Sequence, residues 1–243
     1  MAGMTTATVG HLWHHLVVRL LPPGHPPSRA LVLGSALLAL AAVTSRRIWP
    51  VSRTVVTMAH EGGHALMALL TGRRLDSVRV LRTTAGVTMS AGSPTGPGIV
   101  LTAAAGYIAP PLLGLGAAAL LATNHLPSVL MLSLAGLAGL AIAMRNIYGM
   151  VAVIATGAVI VVVLIRGSTL GETAFGYGLT WFLLLGGARP VIELQATRRH
   201  GRSFSTDADQ LARLTGMPGW LWVGLFALVS LAALALSALW LVH

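Results

Sequence analysis

Cysteine is absent from this chain of 243 residues, which excludes disulfides, thiolate metal sites and cysteine nucleophiles. Any metal must be held by His, Asp or Glu, with Asn or water as lesser options. Acids are scarce as well, with six Asp and Glu in all. Charged residues make up 9% of the chain, against about 25% in an ordinary soluble domain. With 55% hydrophobic residues and a mean hydropathy of +0.80, the composition is that of an integral membrane protein. Aromatics are few, and Ala, Leu, Val and Gly dominate, so membrane helices are expected and not the alternating strands of an outer-membrane barrel. Lysine is missing too, and all 16 basic residues are arginine. They sit in short segments between apolar runs, as topology signals and contacts to anionic lipid do. A nucleic-acid binder would cluster them on a soluble face. The lipid bilayer is therefore an expected partner, and nucleic acid is not.

The apolar runs suggest an all-α polytopic membrane protein of about six to seven transmembrane helices. The expected spans are 30–44, 51–71, 98–122, 127–144, 148–165, 173–187 and 220–242. Pro110 and Pro111 predict a kink in the third. Residues 1–29 form a separate N-terminal segment. Its stretch Val9 to Leu21 carries His11, His14, His15 and Arg19 and reads as an interfacial amphipathic helix. Residues 30–243 read as one transmembrane domain. Ser77 to Ser90 alternates as strands do around a turn at Ala85-Gly86, predicting a small β-hairpin after the second span. Seven spans with a cytoplasmic N-terminus leave twelve arginines inside and four outside, in keeping with the positive-inside rule.

One motif carries chemistry. His60-Glu61-Gly62-Gly63-His64 reads H-E-x-x-H and lies within the second apolar run. On a helix, positions i and i+4 share a face, so both imidazoles can grip one metal ion. Tetrahedral zinc would take both, a third protein ligand and a water whose proton Glu61 can accept. A carboxylate at membrane depth is costly enough to imply function. Gly62 and Gly63 would let a neighbouring helix or a substrate backbone come close. The bland alternative is polar glue between helices. His64 would lie about eight residues, roughly 12 Å, from the cytoplasmic end of its span.

H-E-x-x-H within a membrane span resembles the site-2-protease family of intramembrane zinc metalloproteases, in its compact prokaryotic-type branch. Supporting features are the basic hairpin after the motif, Ala105-Gly106-Tyr107-Ile108-Ala109-Pro110-Pro111, Arg145-Asn146, and Ser205-Thr206-Asp207-Ala208-Asp209-Gln210-Leu211-Ala212. The resemblance covers about residues 50 to 240. It implies that His60 and His64 bind Zn2+, that Glu61 is the general base, and that Asn146 contacts substrate or orients a ligand. It also implies a membrane-protein substrate and a bacterial cytoplasmic membrane. One departure stands out. The family's third ligand usually lies in an L-N-x-x-P-x-x-x-x-D-G segment, but eight residues after Asn146 stands Ile154.

The third ligand must then come from elsewhere or be missing. Asp76 follows two arginines, and Glu172 lies on the other side of the membrane in the seven-span layout. Asp207, Asp209 and Glu193 remain, with Asp207 the first choice. Each has a structural alternative: a first-turn helix acid for the two aspartates, and a pair with Arg189 for Glu193. The expected function is zinc-dependent intramembrane endopeptidase. A degenerate homologue that binds membrane segments as a regulator or chaperone is the alternative. A metal transporter would need further polar groups along a path, and the other spans offer few.

Overall fold

The computed structural model describes residues 27–83, 85–199 and 206–242. Among these the chain forms eight helices and one two-stranded antiparallel sheet. The order is α1 (Arg29–Thr44), α2 (Trp49–Leu70), β1 (Arg74–Val80), β2 (Gly86–Ala91), α3 (Pro97–Ala122), α4 (Leu126–Ala143), α5 (Ile147–Arg166), α6 (Thr169–Arg199), α7 (Asp207–Thr215) and α8 (Gly219–Val242). A helix stands at each of the seven expected apolar stretches, and the polar segment near 191–217 contributes the short α7. The N-terminal segment expected at 1–29 lies outside the described residues except for its last three. Helices α3, α4, α5 and α8 are each long and apolar enough to cross a membrane. Helices α1 and α2 meet that test only together, bent by 102° at the break between them.

Helix α6 runs well past the expected end at Gly187, through Pro190, to Arg199. A mid-helix proline removes one backbone hydrogen bond and ordinarily kinks or ends a helix. Here side chains hold the turn. Arg189 Nε donates to Glu193 Oε1 at 2.9 Å, and Trp49 Nε1 donates to the same oxygen at 3.0 Å. The Arg189 guanidinium lies 4.5 Å from the Trp49 ring centroid and donates to the carbonyl of Val43. The cluster ties α6 to the α1–α2 corner.

Helix α3 packs against α2, α6 and α8, while α1 covers α6 and α7 tucks against α3 and α8. Small residues permit the close approaches. A Cβ on Gly63 would stand 2.7 Å from the Ala105 carbonyl oxygen, and one on Gly187 would stand 3.0 Å from Pro111 N. Backbones that approach this closely gain dispersion and small-residue packing where lipid offers no hydrophobic drive.

The turn out of α2 sets the course of the hairpin. Gly72 adopts φ +71, and its N–H bonds the Leu69 carbonyl, while Arg73 N–H bonds that of Ala68. This is a Schellman ending, and its left-handed residue favours glycine. It delivers the chain straight into β1. The hairpin pairs Val78 with Thr88 and Val80 with Gly86, with an irregularity between Leu75 and Ser77. Val78 and Val80 are fully buried against Met58, Ala65, Met144 and Val153, which seats β1 on α2 and on the α4–α5 junction. The outer edge of β1 is occupied: Arg145 N–H donates to Val78 O at 2.9 Å, and Asn146 exchanges two bonds with the Val80 backbone.

Candidate metal centre

Two helices bring the site together. His60 and His64 stand one turn apart on α2, Glu61 between them is buried, and Asp207 is the first residue of α7. Thr206 caps α7, its hydroxyl accepting from Asp209 N–H while the Asp209 side chain bonds the Thr206 backbone N–H. That capping box fixes the first turn and so the height of Asp207.

The ligand atoms converge. His60 Nε2 and His64 Nε2 are 3.0 Å apart, and Asp207 Oδ2 lies 3.1 Å from the first and 3.3 Å from the second. Zinc bonds of about 2.0–2.1 Å in tetrahedral geometry separate neighbouring ligand atoms by about 3.3–3.4 Å. The triangle is thus close to one face of a zinc tetrahedron. The proton count agrees. His64 Nδ1 lies 2.7 Å from the Thr102 carbonyl oxygen, a contact that puts a proton on Nδ1. In the neutral ring, Nε2 then presents a lone pair to a carboxylate oxygen, and two acceptors face each other unless a cation or a proton lies between them. The residues fit a divalent metal.

Burial alone would raise the Asp207 pKa, but the hydrogen bonds and charge of His60 and His64 outweigh it and hold the carboxyl below the usual range. The wall behind the imidazoles is Gly106 of α3. A Cβ there would lie 2.6 Å from His60 Nε2 and closer still to His64 Nε2. Tyr107 meets the His60 ring edge-on, with centroids 4.8 Å apart, and stacks on Phe226 at 5.0 Å. Glu61 is held from the hairpin side, where Thr88 Oγ1 donates to its Oε2 at 2.7 Å.

A family model described as Peptidase M50B-like matches residues 33–237. The chain belongs to this family. Neither the comparison with curated proteins nor that with solved structures finds a match. Membership in a site-2-protease-type metallopeptidase family and four membrane-length apolar helices make this M50B-like chain an integral membrane protein, with a metallopeptidase type of function.

The remaining candidates of the M50B-like chain fall elsewhere. Asp209 is engaged by Arg198 and Thr206 in the α7 cap. Burial would raise its pKa, but the Thr206 bonds and Arg198 lower it. Glu193 belongs to the Trp49 and Arg189 cluster and lies 3.6 Å from Arg53. Asn146 is not gathered with the histidines: both groups of its amide bond Val80, at 3.1 and 2.7 Å. Sequence reasoning missed Thr88 and the roles of Gly86 and Gly106. A glycine directly before Tyr107 in an otherwise alanine-rich helix was the one available signal for Gly106.

Proposed function

We propose that this protein is a zinc-dependent intramembrane endopeptidase, cutting a peptide bond in or near a transmembrane segment of a membrane-protein substrate. The observation that carries the reading is the convergence of His60, His64 and Asp207 beside buried Glu61, in a chain of a metallopeptidase family. When bound, zinc supplies Lewis-acid polarisation of the scissile carbonyl and lowers the pKa of a water it holds. His60 and His64 offer their Nε2 atoms and Asp207 its Oδ2. The Thr102 carbonyl keeps the His64 proton on Nδ1, so that Nε2 is free to ligate. Glu61 takes the proton of the attacking water and returns it to the leaving amine. Partial burial of the site strengthens each of these electrostatic contacts.

A peptide bond inside a helix is shielded by its own hydrogen bonds, so the substrate must be unwound locally. An extended segment can be held by strand addition. Because Met144–Asn146 occupies the outer edge of β1, the addition falls to β2, whose Val87 and Met89 are exposed. Asn146 then serves substrate at one remove, by anchoring β1. On a seven-span layout, the arginine bias favours a cytoplasmic N-terminus and a metal in the cytoplasmic half of a bacterial cytoplasmic membrane.

Glu61→Gln separates this reading from a non-cutting regulator or chaperone. The variant should keep stoichiometric zinc and lose cleavage of a membrane-embedded reporter. A biological phenotype unchanged by Glu61→Gln would favour the regulator.

A further inference from the structure

The general base has a holder of its own. Thr88 Oγ1 lies 2.7 Å from Glu61 Oε2 and 3.2 Å from the Glu61 carbonyl oxygen. One hydroxyl thus spans the side chain and the backbone of the same residue. Two residues earlier on the same face of β2, a Cβ on Gly86 would run into Glu61 Oε1, Cδ and Cγ. The carboxylate is therefore bracketed by one strand, with a hydrogen bond on one oxygen and a bare Cα against the other. From Glu61 and the protease reading above, we infer that Thr88 is a positioning residue for the general base, and that β2 sets where that base stands.

The strand is itself rigidly located. Gly86 pairs with Val80 and Thr88 with Val78, both valines being fully buried. Val80 is gripped on its N–H and its C=O by the Asn146 amide, and Val78 O by Arg145 N–H. A run of contacts leads from the α4–α5 junction through β1 and β2 to Glu61. It gives Asn146 a mechanical role, far along the chain from the H-E-x-x-H motif. Successive residues of a strand point to opposite faces. Gly86 and Thr88 face Glu61, while Val87 and Met89 face outward and are exposed. A substrate strand added to β2 would bear on the same backbone that holds the base. Substrate engagement and base placement are coupled through six residues, Gly86–Ala91.

The test uses the full-length, zinc-loaded protein in detergent. Apparent Tm is measured for Thr88→Val, Glu61→Ala and the double variant. Alanine replaces Glu61 here because a glutamine amide oxygen would still accept the bond. The proposal expects non-additive shifts, with Thr88→Val lowering Tm in wild type and having little effect once Glu61 is gone. Additive shifts overturn it. The second readout is cleavage of a fluorogenic transmembrane peptide with a helix-weakening Asn-Pro pair. A misplacement of about 1 Å in a catalytic group costs about 10²-fold in rate. Thr88→Val should therefore lower kcat by roughly 10- to 100-fold. KM and bound zinc should hold, and Thr88→Ser should restore most of the rate. Gly86→Ala should lose cleavage and keep zinc. Wild-type kcat in Thr88→Val, or a change confined to KM, overturns the proposal. A wild type that does not cut yet shows the Tm coupling counts against the protease reading and for the Thr88 hold.

Discussion

Replacing Gly106 by alanine should weaken metal binding although every ligand residue is retained. The added Cβ would lie 2.6 Å from His60 Nε2 and nearer to His64 Nε2, whereas ordinary contact begins at 3.4 Å. The imidazoles must therefore retreat by about 0.8 Å or more, where metal sites tolerate about 0.2 Å in ligand distance. His64 has little freedom to move away, because Nδ1 is tied to the Thr102 carbonyl. Changes that merely reorient a ligand cost about 10–100-fold in metal affinity. A displacement four times the tolerance should cost at least about 100-fold, or about 2.8 kcal/mol. The assay is zinc per chain by mass spectrometry, followed by competition with a graded chelator. Without metal, moving His64 aside breaks its bond to Thr102, a cost of about 1 kcal/mol that the better helix propensity of Ala offsets in part, so metal-free stability should stay within about 1 kcal/mol of wild type. Gly62→Ala is the matched control: a Cβ there meets nothing within 4 Å, and zinc should be kept. Wild-type zinc affinity in Gly106→Ala would refute both the geometry and the ligand assignment drawn from it.

His60→Ala and His64→Ala should each leave the purified protein without stoichiometric zinc, read by the same mass spectrometry. Asp207→Asn should weaken zinc binding by at least about tenfold, by analogy with the cost of disturbing a ligand. Glu193→Gln should bind zinc normally and Asp209→Asn should be weakened less than Asp207→Asn, which chelator competition will show. Asp209→Asn should instead lower stability by about 1 kcal/mol through loss of the α7 cap. That loss depends on pH. The Asp209 pKa is depressed in the folded protein, so its contribution is full above the unfolded carboxylate value of about 3.9 and disappears as pH falls through the folded value. Thermal unfolding at stepped pH should show the wild type and Asp209→Asn converging in acid and separating above about pH 4.

Much of the architecture was legible because membrane helices announce themselves by length and polarity, and glycine and proline mark their ends. The hairpin was legible from alternation around Gly86. His60 and His64 were legible because a fixed helical period converts spacing directly into a shared face. Asp207 could be reached only by elimination among six acids, since nothing in the local sequence shows that the start of α7 meets the His60 and His64 rings. The extension of α6 through Pro190 was hidden for a related reason: Trp49, which helps to hold Glu193, is 144 residues away. Thr88 looked like any strand threonine, and Asn146 like a substrate contact. The roles of both depend on which backbone or carboxylate the fold sets against them. In sequence Gly106 is one more small residue of an alanine-rich span, whereas in the fold its missing Cβ makes room for two imidazole nitrogens.

The central claim is that this chain cuts peptide bonds with Glu61 as its base. The most direct measurement is cleavage of a transmembrane reporter by the purified, zinc-loaded, full-length protein, with Glu61→Gln prepared and loaded in parallel. The account predicts cleavage by the wild type and none by Glu61→Gln at equal zinc content. Equal cleavage by the two proteins, or a zinc-free wild type after metal-replete purification, would contradict it.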